Sequence, residues 1–271
     1  MKTLYLSDLD GTLLGSDQKV SRFTAEAINR LVEKGMIFSY ATARSVVTAR
    51  VTTEGIDVSL PIIAQNGVFI QNNHTGDRLH AFLFSRKDIG HILSAFAQRG
   101  LYPIVYALID GRERFSYVRR LCSREQNEFL SARQHDVRER LLEDPAHLAE
   151  GDIYYFSCID TQERLAPIYG LFKDKFRCYF ARDIYSGDWW LEITPRQASK
   201  AQAAKILQKQ LGCEKLVCFG DGVNDLPMFE IADECYAVAN ADERLKAVAT
   251  GVIGANTANG VARFLLERFG E

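Results

Sequence analysis

Apolar and polar positions alternate between two periods along this chain. Residues 2–7 place Leu4, Tyr5 and Leu6 in one unbroken apolar run that stops at an Asp/Gly cluster, the pattern of a buried strand. Phe23, Ala27, Ile28, Leu31 and Val32 then recur at helical spacing, and Gly35 stands where it ends that helix. Residues 36–40 predict a second strand, 45–53 a helix, and Pro61–Ala64 a third strand followed by Asn66-Gly67. The last third repeats the alternation. It reads as helix over 198–211 closed by Gly212, strand over 215–219, helix over 226–232, strand over 235–238, helix over 242–248, strand at 252–253 and helix over 261–269. Strands alternating with helices predict an α/β fold with a parallel sheet and crossover helices.

The middle of the chain reads differently. Residues 86–98 predict a helix, 101–108 a strand, 153–159 a strand, Gln162–Phe172 a helix and 177–180 a strand. Between them, residues 110–144 hold eight Arg and eight Asp or Glu, which reads as a solvated helical face in preference to a binding patch. The expected organisation is one α/β domain built from residues 1–81 and 188–271, with an α+β domain inserted over 82–187. Two domains suit a chain of 271 residues. Trp189 and Trp190 stand at the return, where one of them is expected to pack the hinge.

Charge and composition narrow the class. A net charge of −2 gives no support to nucleic acid as the main partner, because phosphate backbones want a basic stripe. The apolar run over 101–109 falls far short of the roughly 20 residues that span a membrane. Asp8 and Asp10 interrupt any signal-peptide core, so the expected location is cytoplasmic, with no membrane partner. The six cysteines contain no Cys-x-x-Cys and read as free thiols, and the five histidines form no metal-ligand spacing.

The chemistry concentrates at strand ends. Asp8-Leu9-Asp10-Gly11-Thr12-Leu13 follows the first strand, and Gly220-Asp221-Gly222-Val223-Asn224-Asp225 follows the strand over 215–219. Ligands of open parallel sheets bind outside the carboxyl ends of the strands. Asp221 and Asp225 are therefore expected on the rim that carries Asp8 and Asp10. Four carboxylates on one rim need a divalent cation, and oxygen donors without His or Cys suit Mg2+ better than Zn2+. Thr42, after the second strand, offers a hydroxyl and nearby backbone N–H groups to a phosphate oxygen, with Arg44 close behind. Lys200, at the start of a helix, has an ammonium long enough to reach the rim. Alone, Thr42 reads as a helix cap and Lys200 as a surface residue.

In order and strand context these four pieces resemble the motifs of the haloacid dehalogenase superfamily: Asp-x-Asp-Gly-Thr, Thr/Ser, Lys and Gly-Asp-Gly-x-Asn-Asp. The insertion after Asn66-Gly67 resembles the large C2 cap of the Cof-type sugar phosphatases. The resemblance implies a Rossmann-like core with an inserted cap. It implies that Asp8 is the nucleophile, forming an aspartyl-phosphate, and that Asp10 is the general acid and then the base. It implies Mg2+ held by Asp8, the Asp10 backbone carbonyl and Asp221, with Asp225 and Asn224 close by. Thr42, Ala43, Lys200 and Asn224 would bind phosphate, and Arg44, Asn66 and Gly67 would lie on the substrate side. Ala43, Gln197 and Ala201 stand where the family often has Gly, and the Ala43 methyl is expected to displace its loop slightly.

The expected partner is a small phosphorylated metabolite, probed by a chain that is a monomer or homodimer. Tyr102, Tyr106, Tyr154, Tyr155 and Tyr185 are candidates for stacking on a sugar, although aromatics alternating on a strand are more often core. Two other readings stay open. A phosphomannomutase-like phosphotransferase shares the motifs and the cap class. A phosphate-sensing module without turnover also gathers Asp, Thr and Lys on one α/β rim, but Asp10 would hydrolyse its acyl-phosphate.

Overall fold

The computed structural model describes every residue except Val58, Ile184 and Tyr185. Two compact units emerge, one formed by Met1–Ala81 with Ala198–Glu271 and the other by Phe82–Gln197.

The first unit opens with β1 (Thr3–Asp8), α1 (Arg22–Glu33), β2 (Ile37–Ala41), α2 (Val46–Thr52), β3 (Pro61–Ala64), β4 (Phe69–Asn72) and β5 (Arg78–Ala81). The second unit follows, with α3 (Arg86–Ala97), β6 (Ile104–Ile109), β7 (Arg112–Tyr117), α4 (Arg124–Ser131), β8 (Glu139–Leu141), β9 (Asp152–Asp160), α5 (Gln162–Phe172), β10 (Arg177–Arg182) and β11 (Trp189–Thr194). The chain returns to the first unit with α6 (Lys200–Gln210), β12 (Lys215–Gly220), α7 (Leu226–Phe229), β13 (Glu234–Val238), α8 (Glu243–Lys246), β14 (Gly251–Ile253) and α9 (Gly260–Arg268).

Eight strands form the sheet of the first unit, in the order β14-β13-β12-β1-β2-β3-β4-β5. All neighbours are parallel except β3/β4 and β4/β5, which are antiparallel. Leu4, Leu6, Phe38, Tyr40, Val217 and Phe219 are buried in one core. Burial on both faces is why β1 reads as a continuous apolar run instead of an alternating one. Serines start the helices that matter here. Ser21, Ser45 and Ser199 each accept a hydrogen bond from the backbone N–H three residues on, which satisfies one of the unpaired donors of a first turn.

The second unit is a six-stranded sheet in the order β10-β11-β9-β6-β7-β8, antiparallel except for β7/β8. Helices α3 and α5 pack on one face through Ile89, Ile92, Phe96, Leu165 and Ile168. Two sequence expectations need correction here. Residues 110–144 are not one helical face: they contain β7, α4 and β8, and Phe115, Tyr117 and Leu130 form a small core there with Ile104. The boundary expected at 187/188 falls instead after Gln197, because β11 pairs with both β9 and β10. Trp189 and Trp190 accordingly pack inside this unit, against Phe180 and Phe129.

Among the described residues no helix is long and apolar enough to cross a membrane. All six cysteines are free thiols.

Candidate active site

Strand register brings the chemistry-bearing residues together. Asp8 is paired with Ala41 of β2, and Ser7 with Phe219 of β12. The residues leaving these three strands, Asp8, Thr42 and Asp221, therefore emerge at one edge of the sheet. Here the strand order also reverses, since the chain runs from β1 toward β2 and later adds β12 on the other side. Such a switch point leaves a crevice outside the carboxyl ends of the strands.

The first motif packs directly on the fourth. Leu9–Leu13 is an irregular turn closed by the Leu14 N–H donating to the Leu9 carbonyl at 2.9 Å. Gly11 sits there at φ +75°, and a Cβ on it would fall 2.2 Å from Asp221 Oδ2, so only glycine fits. Thr12 Oγ1 donates to Asp221 Oδ1 at 3.1 Å. Asp225 is fully buried, and its Oδ2 accepts from the backbone N–H groups of Asp221 and Gly222, both at 3.2 Å. That carboxylate shapes the loop carrying Asp221.

Lys200 is the first residue of α6 and is buried, not a surface residue. Its Nζ donates to Asp8 Oδ1 at 2.5 Å and to Asp225 Oδ1 at 2.7 Å. A strained turn sets the start of its helix. Gln65, Asn66 and Gly67 all have positive φ, at 53°, 54° and 94°. The Gln65 N–H donates to the Arg44 carbonyl at 3.0 Å, and the Asn66 N–H to the Thr42 carbonyl at 2.9 Å. A Cβ on Gly67 would lie 2.2 Å from the Ser199 carbonyl. This turn thus ties the Thr42 loop to the helix that carries Lys200. Gly67→Ala is expected to destabilise the protein by about 1–3 kcal/mol through positive φ and backbone collision. A urea-melt midpoint equal to wild type would contradict that role.

Asp8, Asp221 and Asp225 place carboxylate oxygens within 4.8 Å of one another. Asp8 is raised to about 8, with burial pushing it up most, the Lys200 ammonium pulling it down, and Asp225 and Asp221 pushing it up. Burial and the Asp225 charge also raise Asp221. For Lys200, burial opposes the charge, but Asp8 and Asp225 outweigh it and hold the ammonium above its ordinary value. Three carboxylates against one buried ammonium leave the cluster short of positive charge. Hard oxygen donors in that deficit fit a small divalent cation.

The other expected residues lie outside the carboxylate cluster. Asp10 does not join the carboxylate cluster: its side chain is half-exposed and paired with Arg44. Of the four expected carboxylates, three have oxygens that lie within 4.8 Å of one another, and Asp10 pairs with Arg44 beside them. Thr42 is buried, and its Oγ1 accepts from the Arg44 N–H at 3.1 Å, leaving its own proton free to donate. Ala43 is exposed, and its backbone is not in the left-handed region, so nothing there requires glycine. Asn66 is exposed, whereas Gly67 is buried against Ser199 and serves the turn. Asn224 is exposed, with its Oδ1 against Gly222. Sequence reasoning missed Asn240, whose Nδ2 donates to the Gly11 carbonyl at 2.8 Å, and Gln18, whose Oε1 accepts from Arg44 Nη2 at 3.1 Å. No local pattern marks either one.

In the second unit Tyr154 is buried in the sheet, and Tyr102 packs on the core. Tyr155 donates to Glu192 Oε1 at 2.6 Å, with the Tyr106 ring 4.7 Å from its own. Tyr185 lies outside the described residues.

Comparison with known proteins identifies the family. A sequence model of the haloacid dehalogenase-like hydrolases matches residues 5–265, and the chain belongs to that family. It is 28% identical over 284 residues to phosphatase YwpJ of Bacillus subtilis, covering 95% of this chain and 96% of that protein. It is also 28% identical over 278 residues to the 5-amino-6-(5-phospho-D-ribitylamino)uracil phosphatase YwtE of the same organism, covering 95% of each. The crystal structure of TM0651 from Thermotoga maritima superposes with a TM-score of 0.78 at 24% identity, over 99% of this chain and 97% of that one. The chain is an enzyme of the phosphatase class within the family.

Proposed function

We propose that this protein is a Mg2+-dependent phosphatase acting on small phosphorylated metabolites, sugar or polyol phosphates among them, through an aspartyl-phosphate on Asp8. The observation that carries the reading is the buried Lys200 ammonium held between Asp8 and Asp225, with Asp221 and Thr42 at the same sheet edge. The relative named for 5-amino-6-(5-phospho-D-ribitylamino)uracil supports a phosphate ester of an alcohol as substrate.

Asp8 and Asp221, with the Asp10 backbone carbonyl, would hold the cation, and Asp225 and Asn224 would support it. When bound, Mg2+ supplies positive charge that offsets repulsion between the Asp8 carboxylate and a phosphate dianion. The protein's own groups do the rest. Lys200 donates to Asp8 Oδ1, which fixes the carboxylate and leaves Oδ2 for attack on phosphorus. As the new O–P bond forms, the bond to the alcohol oxygen breaks, and that oxygen takes a proton from Asp10. Water then gives a proton to Asp10 and attacks phosphorus, which releases inorganic phosphate and restores Asp8. Lys200 and the Thr42 hydroxyl place positive potential where phosphoryl oxygens gather. We read residues 82–197 as the C2-type cap of this family.

The test is phosphate release from a panel of sugar phosphates, phosphoglycolate-type acids, nucleotides, FMN and pyridoxal phosphate, with and without Mg2+. Excess EDTA is expected to abolish release, and added Mg2+ to restore it. Full activity in chelator would remove the cation from the account. No release from any compound, with isomerisation of a sugar monophosphate once a sugar bisphosphate is added, would favour the mutase.

A further inference from the structure

Arg44 stands among the expected substrate-side groups, yet its charge is committed within the protein. Its Nε donates to Asp10 Oδ2 at 2.8 Å and its Nη2 to Asp10 Oδ1 at 2.5 Å. Only a planar guanidinium grips a carboxylate on two parallel prongs in this way. Nη2 also donates to Gln18 Oε1 at 3.1 Å. The backbone of Arg44 is fixed on both sides, its N–H by Thr42 Oγ1 at 3.1 Å and its carbonyl by the Gln65 N–H at 3.0 Å. Gln65 belongs to the strained turn that also sets Lys200. The arm that holds Asp10 is thus anchored to the loop carrying Thr42.

A half-exposed aspartate on a turn samples several staggered rotamers. The fork of Arg44 selects one of them, outside the cluster of Asp8, Asp221 and Asp225. Each carboxyl oxygen has two lone pairs, so the carboxyl can carry a proton while the fork uses one on each.

We propose that Arg44 is the positioning residue for Asp10, fixing the orientation from which Asp10 passes its proton to the leaving alcohol oxygen. The inference rests on the reading of Asp10 as proton donor given above. It makes a chemical distinction between substrates. An alkoxide departs only if it takes that proton as the P–O bond breaks, whereas p-nitrophenolate departs as the anion. Positioning of the acid therefore matters in the first step for esters of aliphatic alcohols and little for p-nitrophenyl phosphate, while the water step that uses Asp10 as base is common to both.

The experiment measures kcat and KM, and the single-turnover rate at which glycerol or p-nitrophenolate is released, for wild type, Arg44→Ala, Arg44→Lys and Asp10→Asn on glycerol 2-phosphate and p-nitrophenyl phosphate, in saturating Mg2+. Arg44→Ala is expected to lose about 100-fold in the release of glycerol and less than about tenfold in the release of p-nitrophenolate, with slower turnover on both. KM for neither should rise more than about threefold. Arg44→Lys, a point charge without the fork, is expected to show the same selective loss. The double variant Arg44→Ala/Asp10→Asn should be no slower than Asp10→Asn. Equal losses in the two release rates, or a rise in KM with kcat retained, would overturn the proposal and make Arg44 a phosphate ligand. Should Arg44→Ala not fold, the leaving-group comparison on Arg44→Lys decides. Wild type that hydrolyses neither ester would refute the phosphatase reading itself, and with it this one.

Discussion

Asp8→Asn is expected to cut phosphate release roughly 1000-fold or more while leaving the protein folded. The amide is nearly the same shape as the carboxylate, but it has no oxygen able to form the phosphoryl bond. Stability should not fall, because the substitution removes one of three crowded carboxylates that share a single ammonium. The pH dependence gives a second readout in metal-free protein. Burial holds Asp8 in the folded chain near 8, against an ordinary value of 3.8. Between those values the folded state binds the extra proton, so this group's effect is to lower stability as pH rises through that window. Wild type should lose that share of stability on going from about pH 4 to 8, and Asp8→Asn should not. Added Mg2+ should flatten the wild-type curve by favouring the ionised carboxylate. Substantial turnover by Asp8→Asn would end the nucleophile assignment, and parallel melting curves would refute the electrostatic account.

Lys200→Met should be costly in both activity and stability. Removing a group that stabilises charge in the transition state typically costs about 100- to 1000-fold in kcat. The folding loss has a different origin. The ammonium is buried, and without it Asp8 and Asp225 face each other with no compensating charge. Breaking a buried pair from one side costs about 3–5 kcal/mol, less whatever Asp8 regains by taking up a proton. Because the folded pKa of Lys200 is raised above 10.5, its share of stability is present at every pH below that value. Mild acidification therefore should not reproduce the variant. Lys200→Met/Asp225→Asn should recover part of the stability and none of the activity, since it removes the stranded charge without replacing the ammonium. A single variant as stable as wild type would show that the ammonium is not what holds the two carboxylates together.

Much of the first unit was legible because its periods are clean. The apolar run of β1, the helical spacing of α1 and the repeat of strand and helix after Ala198 each follow from burial on one or both faces. The second unit resisted the same reading. In α4 the buried positions include Gln126, whose Nε2 donates to the Tyr102 carbonyl at 3.1 Å, so a polar residue occupies the inward face. In β11 both faces carry large side chains, with Leu191 and Ile193 on the core and Trp190 against Phe129, so no alternation marks a strand. The hairpin β4–β5 is only four residues on each side and begins one residue after the strained turn.

For the site, the sequence by itself determined which chemistry is present and at which strand ends it stands. Asp8, Asp10, Thr42, Lys200, Asp221 and Asp225 are named by their motifs and by the apolar runs before most of them. It also placed the chain in its family, since motif order survives where overall identity is low. Tertiary structure alone decided which carboxylates meet. A spacing of two residues puts Asp8 and Asp10 on the same turn but does not fix where either side chain points. That direction depends on partners distant in the chain: Lys200 draws Asp8 into the cluster, and Arg44, 34 residues further on, draws Asp10 out of it. Local pattern records what each residue can do, and long-range pairing records which charges it must answer.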